Sequence, residues 1–128
     1  MRRRVRRLFE RLLSAPLVRF PASGFKIEAP KRQGVYIIVH SRRGVLHVGR
    51  TTRGRNGLYQ RLKNHLQARS SFVVLFARPQ RLDLRKDCRF RYLAVANPRT
   101  RAFLEALATG ELCPAHIGTG FKARRTSI

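Results

Sequence analysis

The chain has 128 residues, with 29 Lys plus Arg against 6 Asp plus Glu and a formal net charge of +23, a length that corresponds to one domain. Its hydrophobic content of 43% is enough for a packed core and excludes simple disorder, and no apolar run approaches the ~20 residues of a membrane span. Lysine occurs only at Lys26, Lys31, Lys63, Lys86 and Lys122, so the charge is mostly arginine, whose planar fork suits phosphate and implies a polyanionic partner; composition bias also enriches arginine.

Residues 2–14 place Val5, Leu8, Phe9 and Leu12 on one helical face and arginines on the other. This basic amphipathic helix has three open readings: docking on its own domain, lying along nucleic acid, or resting on an anionic membrane surface. Docking with the arginines turned toward nucleic acid is preferred. An arginine-rich, acid-poor start also resembles a targeting peptide, although Glu10 argues against it. Residues 15–33, with Pro16, Pro21, Gly24 and Pro30, read as a linker or irregular arm. The domain is expected over 34–118, with 1–33 as a basic arm and 119–128 as a basic tail.

Residues 34–40 (GVYIIVH) read as a buried strand, 41–44 as a four-residue hairpin turn and 45–50 (VLHVGR) as the returning strand. Asn56 is placed to cap a helix from about Gly57 to Ala68, with Leu58, Leu62 and Leu66 as its apolar stripe. Residues 71–77 (SFVVLFA) are apolar but too short to separate strand from helix. Residues 88–95 (CRFRYLAV) alternate as a strand with one wet, basic face. Asn97-Pro98 opens a helix expected to run to about Thr109 and close at Gly110. The fold class is α/β (α+β): a small three-stranded, mainly antiparallel sheet flanked by helices.

Chemistry is constrained by the scarcity of acids: Glu10, Glu28, Asp83, Asp87, Glu105 and Glu111. A two-metal hydrolase needs several convergent carboxylates, which this chain can barely supply. One Glu with water and phosphate oxygens suffices for a single magnesium ion. Glu105, flanked by Ala102 and Ala108 on an apolar helix, suits that role; its bland alternative is a surface pair with Arg101 four residues earlier. Arg61 and His65 share a neighbouring helical face and are able to hold a phosphate, or to be a solvated basic face. Tyr36 and His47 alternate with buried residues on the hairpin strands, where a satisfied core-edge hydrogen bond is the commoner fate. The cysteines Cys88 and Cys113 cannot form a disulfide framework, and with His40, His47, His65 and His116 they give no CxxC or HxxxH pair for structural zinc. A reducing, cytoplasmic compartment is the corresponding expectation.

Taken together, GVY at 34–36, HVG at 47–49 followed by Arg50-Thr51, LYQRLKNH at 58–65, LE at 104–105 and LCP at 112–114 resemble the GIY-YIG nuclease family over about residues 34–118. That resemblance implies a phosphodiester hydrolase acting on DNA with a divalent metal, usually Mg2+ (or Mn2+). It implies that Tyr36 lines the site and positions or activates water, that Arg61 contacts the scissile phosphate, and that His65 assists one turn later. It further implies that Glu105 binds the metal and that Gly49 lets the strand end approach the substrate. Two positions depart from the family pattern. His47 stands where a second tyrosine is expected, and its imidazole, titrating near neutrality, is able to serve as a general base. Ile117 stands where an asparagine is expected. Arg42, Arg43, Arg50, Arg53, Arg55 and Lys63 are expected to bind backbone phosphates without reading sequence. The alternatives are a non-catalytic nucleic-acid-binding module on the same scaffold and an RNA-structural basic protein.

Overall fold

A computed structural model describes residues 1–117, so the expected basic tail at 119–128 lies outside the described residues. The chain forms helix α1 (Arg2–Ser14), strands β1 (Val18–Arg19), β2 (Gly34–His40) and β3 (Gly44–Arg50), and helix α2 (Gly57–Leu66). A π-helical turn (Phe72–Ala77), helix α3 (Leu84–Asp87), strand β4 (Cys88–Ala94) and helix α4 (Pro98–Leu112) follow. The sheet is antiparallel in the order β1-β4-β2-β3. It therefore has four strands where three were expected, because Val18 and Arg19, inside the proline-rich arm, pair with Phe90 and Arg89.

Each face of the sheet carries its own core. Tyr36, Ile38 and Phe90 pack under α2 and the π-helical turn, with Leu58, Leu62, Phe72 and Phe20. Val35, Ile37 and Val48 pack on the other face under α1 and α4, with Val5, Phe9, Leu12, Leu104 and Ala108. Residues before Gly34 thus supply apolar side chains to both cores: Leu12 is fully buried and Phe20 nearly so. The docking reading of α1 holds; its apolar stripe is consumed by the fold.

Local details differ from the sequence expectation for identifiable reasons. The side chain of Asn56 makes no capping bond. The Leu58 and Tyr59 amides at the start of α2 instead donate to the carbonyls of Arg32 and Pro30 at 2.8 and 3.0 Å. A methyl group on Gly57 (φ +37°) would overlap that Arg32 carbonyl, so glycine is required at the contact. Helix α2 ends at Leu66 rather than Ala68, which takes a positive φ of 55°. Helix α4 is capped by the Asn97 side chain, as expected, but runs through Gly110 to Leu112 and closes at Cys113 in the left-handed conformation. The segment at 71–77 resolves as the π-helical turn, with the Arg78 amide donating to the Val73 carbonyl five residues back at 2.9 Å.

Arg101 is 3% exposed and does not pair with Glu105. It donates to the carbonyls of Thr51 (2.8 Å), Thr52 (3.1 Å), Val95 (2.9 Å) and Ala96 (3.1 Å). It thereby fastens the loop after β3 to the start of α4. Replacement by leucine leaves these carbonyls without their charged donor. Arg101→Leu is expected to lower unfolding free energy by more than ~2 kcal/mol, measured by urea denaturation; a change near zero would deny the clamp.

Candidate functional site

Tyr36 and Gly49 face each other across β2 and β3. The Tyr36 ring lies over Gly49 so closely that a methyl group there would overlap the phenol. The tyrosine by itself therefore requires glycine at position 49. Gly49→Ala is expected to displace the Tyr36 hydroxyl and disrupt its hydrogen bonds, seen as a shifted Tyr36 ring signal by NMR. An unmoved ring would refute the packing.

Tyr36 is 0% exposed and does not line the adjoining cleft, contrary to the expectation that it lines the site. Its hydroxyl is the hub of a buried network. Arg61 Nε donates to it at 3.2 Å, and His65 Nε2 lies 2.8 Å away. His65 Nδ1 in turn lies 2.6 Å from Ser70 Oγ. Because the phenol oxygen accepts from arginine, its own proton is available to His65 Nε2. The neutral imidazole then carries its hydrogen on Nδ1, toward serine. Burial pushes the Tyr36 phenol up to about 12 although the Arg61 charge opposes it, so the hydroxyl keeps its proton at neutral pH.

His47 also borders the hub, its ring edge-on to that of His65 at 5.4 Å. Its Nε2 is 3.5 Å from the Tyr36 hydroxyl, and its ring stacks on Phe72 at 4.7 Å. Its Nδ1 is 3.3 Å from His116 Nδ1. Burial pulls His47 down to about 3, helped by the nearby charges of His116 and Arg61. The expected imidazole titrating near neutrality is thus replaced by one that stays neutral and is weakly basic. Burial likewise lowers His65, well below its ordinary value, and His116.

Beside this network opens a cleft of about 870 Å³, lined by His47, Arg50, Arg61, Ser70, Glu105 and His116 among others. Glu105 enters from α4, Arg61 from α2 and Arg50 from the end of β3. A Glu105 carboxylate oxygen lies 3.2 Å from Arg50 Nη1, so its partner is Arg50 instead of the helical neighbour Arg101. Burial pushes the Glu105 carboxyl above its ordinary value, while Arg50 and Arg61 pull it back. The geometry brings Glu105, Arg61, His47 and Arg50 to one cleft, with Tyr36 and His65 directly behind.

The other expected phosphate contacts divide. Arg53 and Arg55 line a smaller hollow that shares Arg50, Thr52 and Arg61 with the cleft. Arg42 and Arg43 sit beyond the opposite end of the hairpin, past the His40–Gly44 pair, where Arg43 bonds Gln80. Lys63 lies over the Tyr59 ring, 5.8 Å from its centre, and lines neither hollow. Ser70 and His116 join the site without being expected there. The sequence hint was positional: His116 adjoins Ile117, whose own side chain is 44% exposed.

Among the described residues no three His, Cys, Asp or Glu side chains converge to hold a cation. Glu105 is a hard oxygen donor on the cleft wall, and magnesium takes few carboxylates and keeps several waters, so the residues present fit one such ion held by Glu105. No helix of the described residues is long and apolar enough to cross a membrane. No protein-family model matches the chain, and no curated protein sequence matches it.

Proposed function

We propose that the protein is a metal-dependent endonuclease that hydrolyses DNA phosphodiester bonds in the cleft between α2 and α4. The observation that carries this reading is the shared cleft itself, where a half-buried carboxylate, Glu105, meets the guanidinium of Arg61, which a buried phenol holds in place. A divalent ion such as Mg2+ or Mn2+, held by Glu105, would supply charge neutralisation at the phosphate oxygens. Arg61 spends its Nε on Tyr36 and offers its terminal nitrogens to the phosphoryl group, whose charge grows in the transition state. With a cation held by Glu105, Arg50 would be free to join Arg53 and Arg55 in binding the phosphate backbone. The water oxygen bonds phosphorus as the bond to the leaving oxygen breaks. The water proton leaves by way of His116, the less buried imidazole of the His47–His116 pair, while the weakly basic His47 positions it, and the leaving oxygen takes a proton from solvent.

Supercoiled plasmid tests the proposal. The parent protein is expected to nick it in magnesium or manganese, with a chelator and Glu105→Ala each abolishing the nicking. Unchanged plasmid binding without nicking in either metal would instead favour a binding module, which the net charge of +23 equally suits. Stronger binding to structured RNA than to duplex DNA at equal salt would favour the RNA reading.

A further inference from the structure

Helix α1 presents a second basic surface outside the cleft. Arg2, Arg3, Arg4, Arg6, Arg7 and Arg11 are all exposed, and among the described residues none of them forms an ion pair. Arg3, Arg7 and Arg11 recur every four residues, so they form one row with ~6 Å between successive side chains along the helix. Directly opposite that row, Val5, Phe9 and Leu12 are 6%, 6% and 0% exposed against α4 and the sheet. Two further contacts fix the helix: Arg91 donates to the Leu13 carbonyl, and the Thr100 hydroxyl approaches Met1 Sδ. The row is therefore held on a rigid element.

This placement is unfavourable for the isolated chain. Three arginines occupy the start of α1, where the backbone amides already make the helix end positive. No acidic residue stands in that first turn, and the N-cap residue Met1 makes no side-chain capping bond. Local electrostatics conflict with the fold, and such conflicts cluster where function demands them. An external anion resolves this one. A membrane surface fits poorly, because an interfacial helix inserts its apolar face and this helix has buried its own inside the protein. A nucleic-acid backbone needs only the charged side.

The surface is separate from the cleft. Helix α1 packs over β4 and beside α4; the cleft opens at β3, and β2 lies between β4 and β3 in the sheet. No α1 residue lines the cleft.

We infer that the arginine row of α1 is a second nucleic-acid site, binding duplex phosphates independently of the cleft and of any cleavage. The test compares three proteins by the salt dependence of binding to a duplex long enough to pass beyond the cleft. One carries Arg3→Gln, Arg4→Gln, Arg7→Gln and Arg11→Gln. A second carries lysine at the same four positions. The third carries Arg19→Gln, Arg78→Gln, Arg81→Gln and Lys86→Gln, removing equal charge from the region around α3 and the π-helical turn. Each lost phosphate contact lowers the slope of log affinity against log salt by about 0.9. With the row and its exposed neighbour Arg4 removed together, the α1 glutamine protein is expected to lose about three to four units of slope and to unfold at no lower temperature than the parent. The lysine and control proteins are expected to stay within about one unit of it. Equal slope losses in the α1 and control glutamine proteins, or none in either, would overturn the inference. So would a larger loss of binding to phosphatidylserine vesicles than to duplex at the same ionic strength, which would assign the row to a membrane.

Discussion

Acidification from about pH 7.5 to pH 5 is expected to remove ~4 kcal/mol of unfolding free energy, chiefly through His47 and His65. Both are buried, at 4% and 1% exposure, and burial keeps both neutral far below the ordinary histidine value of 6.5. In the unfolded chain they take protons as the pH falls through 6.5; in the folded chain they do not. The unfolded state then binds more protons, so stability falls with falling pH, by ~1.4 kcal/mol per unit for each histidine. The loss begins below pH 6.5 and for His47 continues until the folded imidazole itself titrates at about 3. Glu105, raised by burial, works in the opposite direction as a single carboxyl. Against the ~5–15 kcal/mol of a typical domain, this loss is large. Urea denaturation at the two pH values measures it. His47→Phe, in a pocket where the ring stacks on Phe72, is expected to remove about half of the pH dependence. Equal stability at both pH values would show that these imidazoles are solvated or already protonated.

The second large effect concerns catalysis. Arg61→Ala is expected to lower the single-turnover rate of duplex cleavage on the order of 10²–10³-fold, the cost typical of removing one preorganised donor from a developing oxyanion. Binding should change little, because one charge in 29 basic residues contributes a small share of backbone affinity. Arg61→Lys keeps the charge but has no Nε–H to lock onto Tyr36, so it should recover only part of the rate. Tyr36→Phe preserves the ring against Gly49 and removes the oxygen that Arg61 and His65 bond. A loss of roughly tenfold in rate at unchanged affinity is expected, the mark of misplaced orientation. A Tyr36→Phe protein as fast as the parent would free Arg61 from the phenol.

Much of this was legible in the sequence, for reasons that also mark where reading stopped. The leucines of α2 recur with helical spacing, and Asn97-Pro98 announces the start of α4, because these signals are local. Tyr36 and His47 fall on facing strands because the hairpin turn between them is short. Strand β1 was illegible because its two residues gain their pairing from β4, about seventy positions away. The fate of Arg101 was equally hidden. Helical spacing offered it Glu105, but two of its carbonyl acceptors belong to Thr51 and Thr52, in a loop that only the tertiary fold brings near. That leaves Glu105 to Arg50. His116 entered the site through a backbone contact, its amide donating to the Leu46 carbonyl at 2.8 Å, which no motif encodes. The low titration of His47 is also a burial effect, and burial depended on Phe72 being turned inward by the π-helical turn.

The measurement that bears most directly on the shared cleft is a double-substitution cycle on single-turnover cleavage, with Glu105→Ala, Arg61→Ala and the pair combined. Groups that act as one unit around a single phosphate are strongly non-additive. The combined protein is expected to be no slower than the worse of the two single variants. Losses that multiply, or single variants that cut as fast as the parent, would mean that Glu105 and Arg61 do not serve a common phosphate.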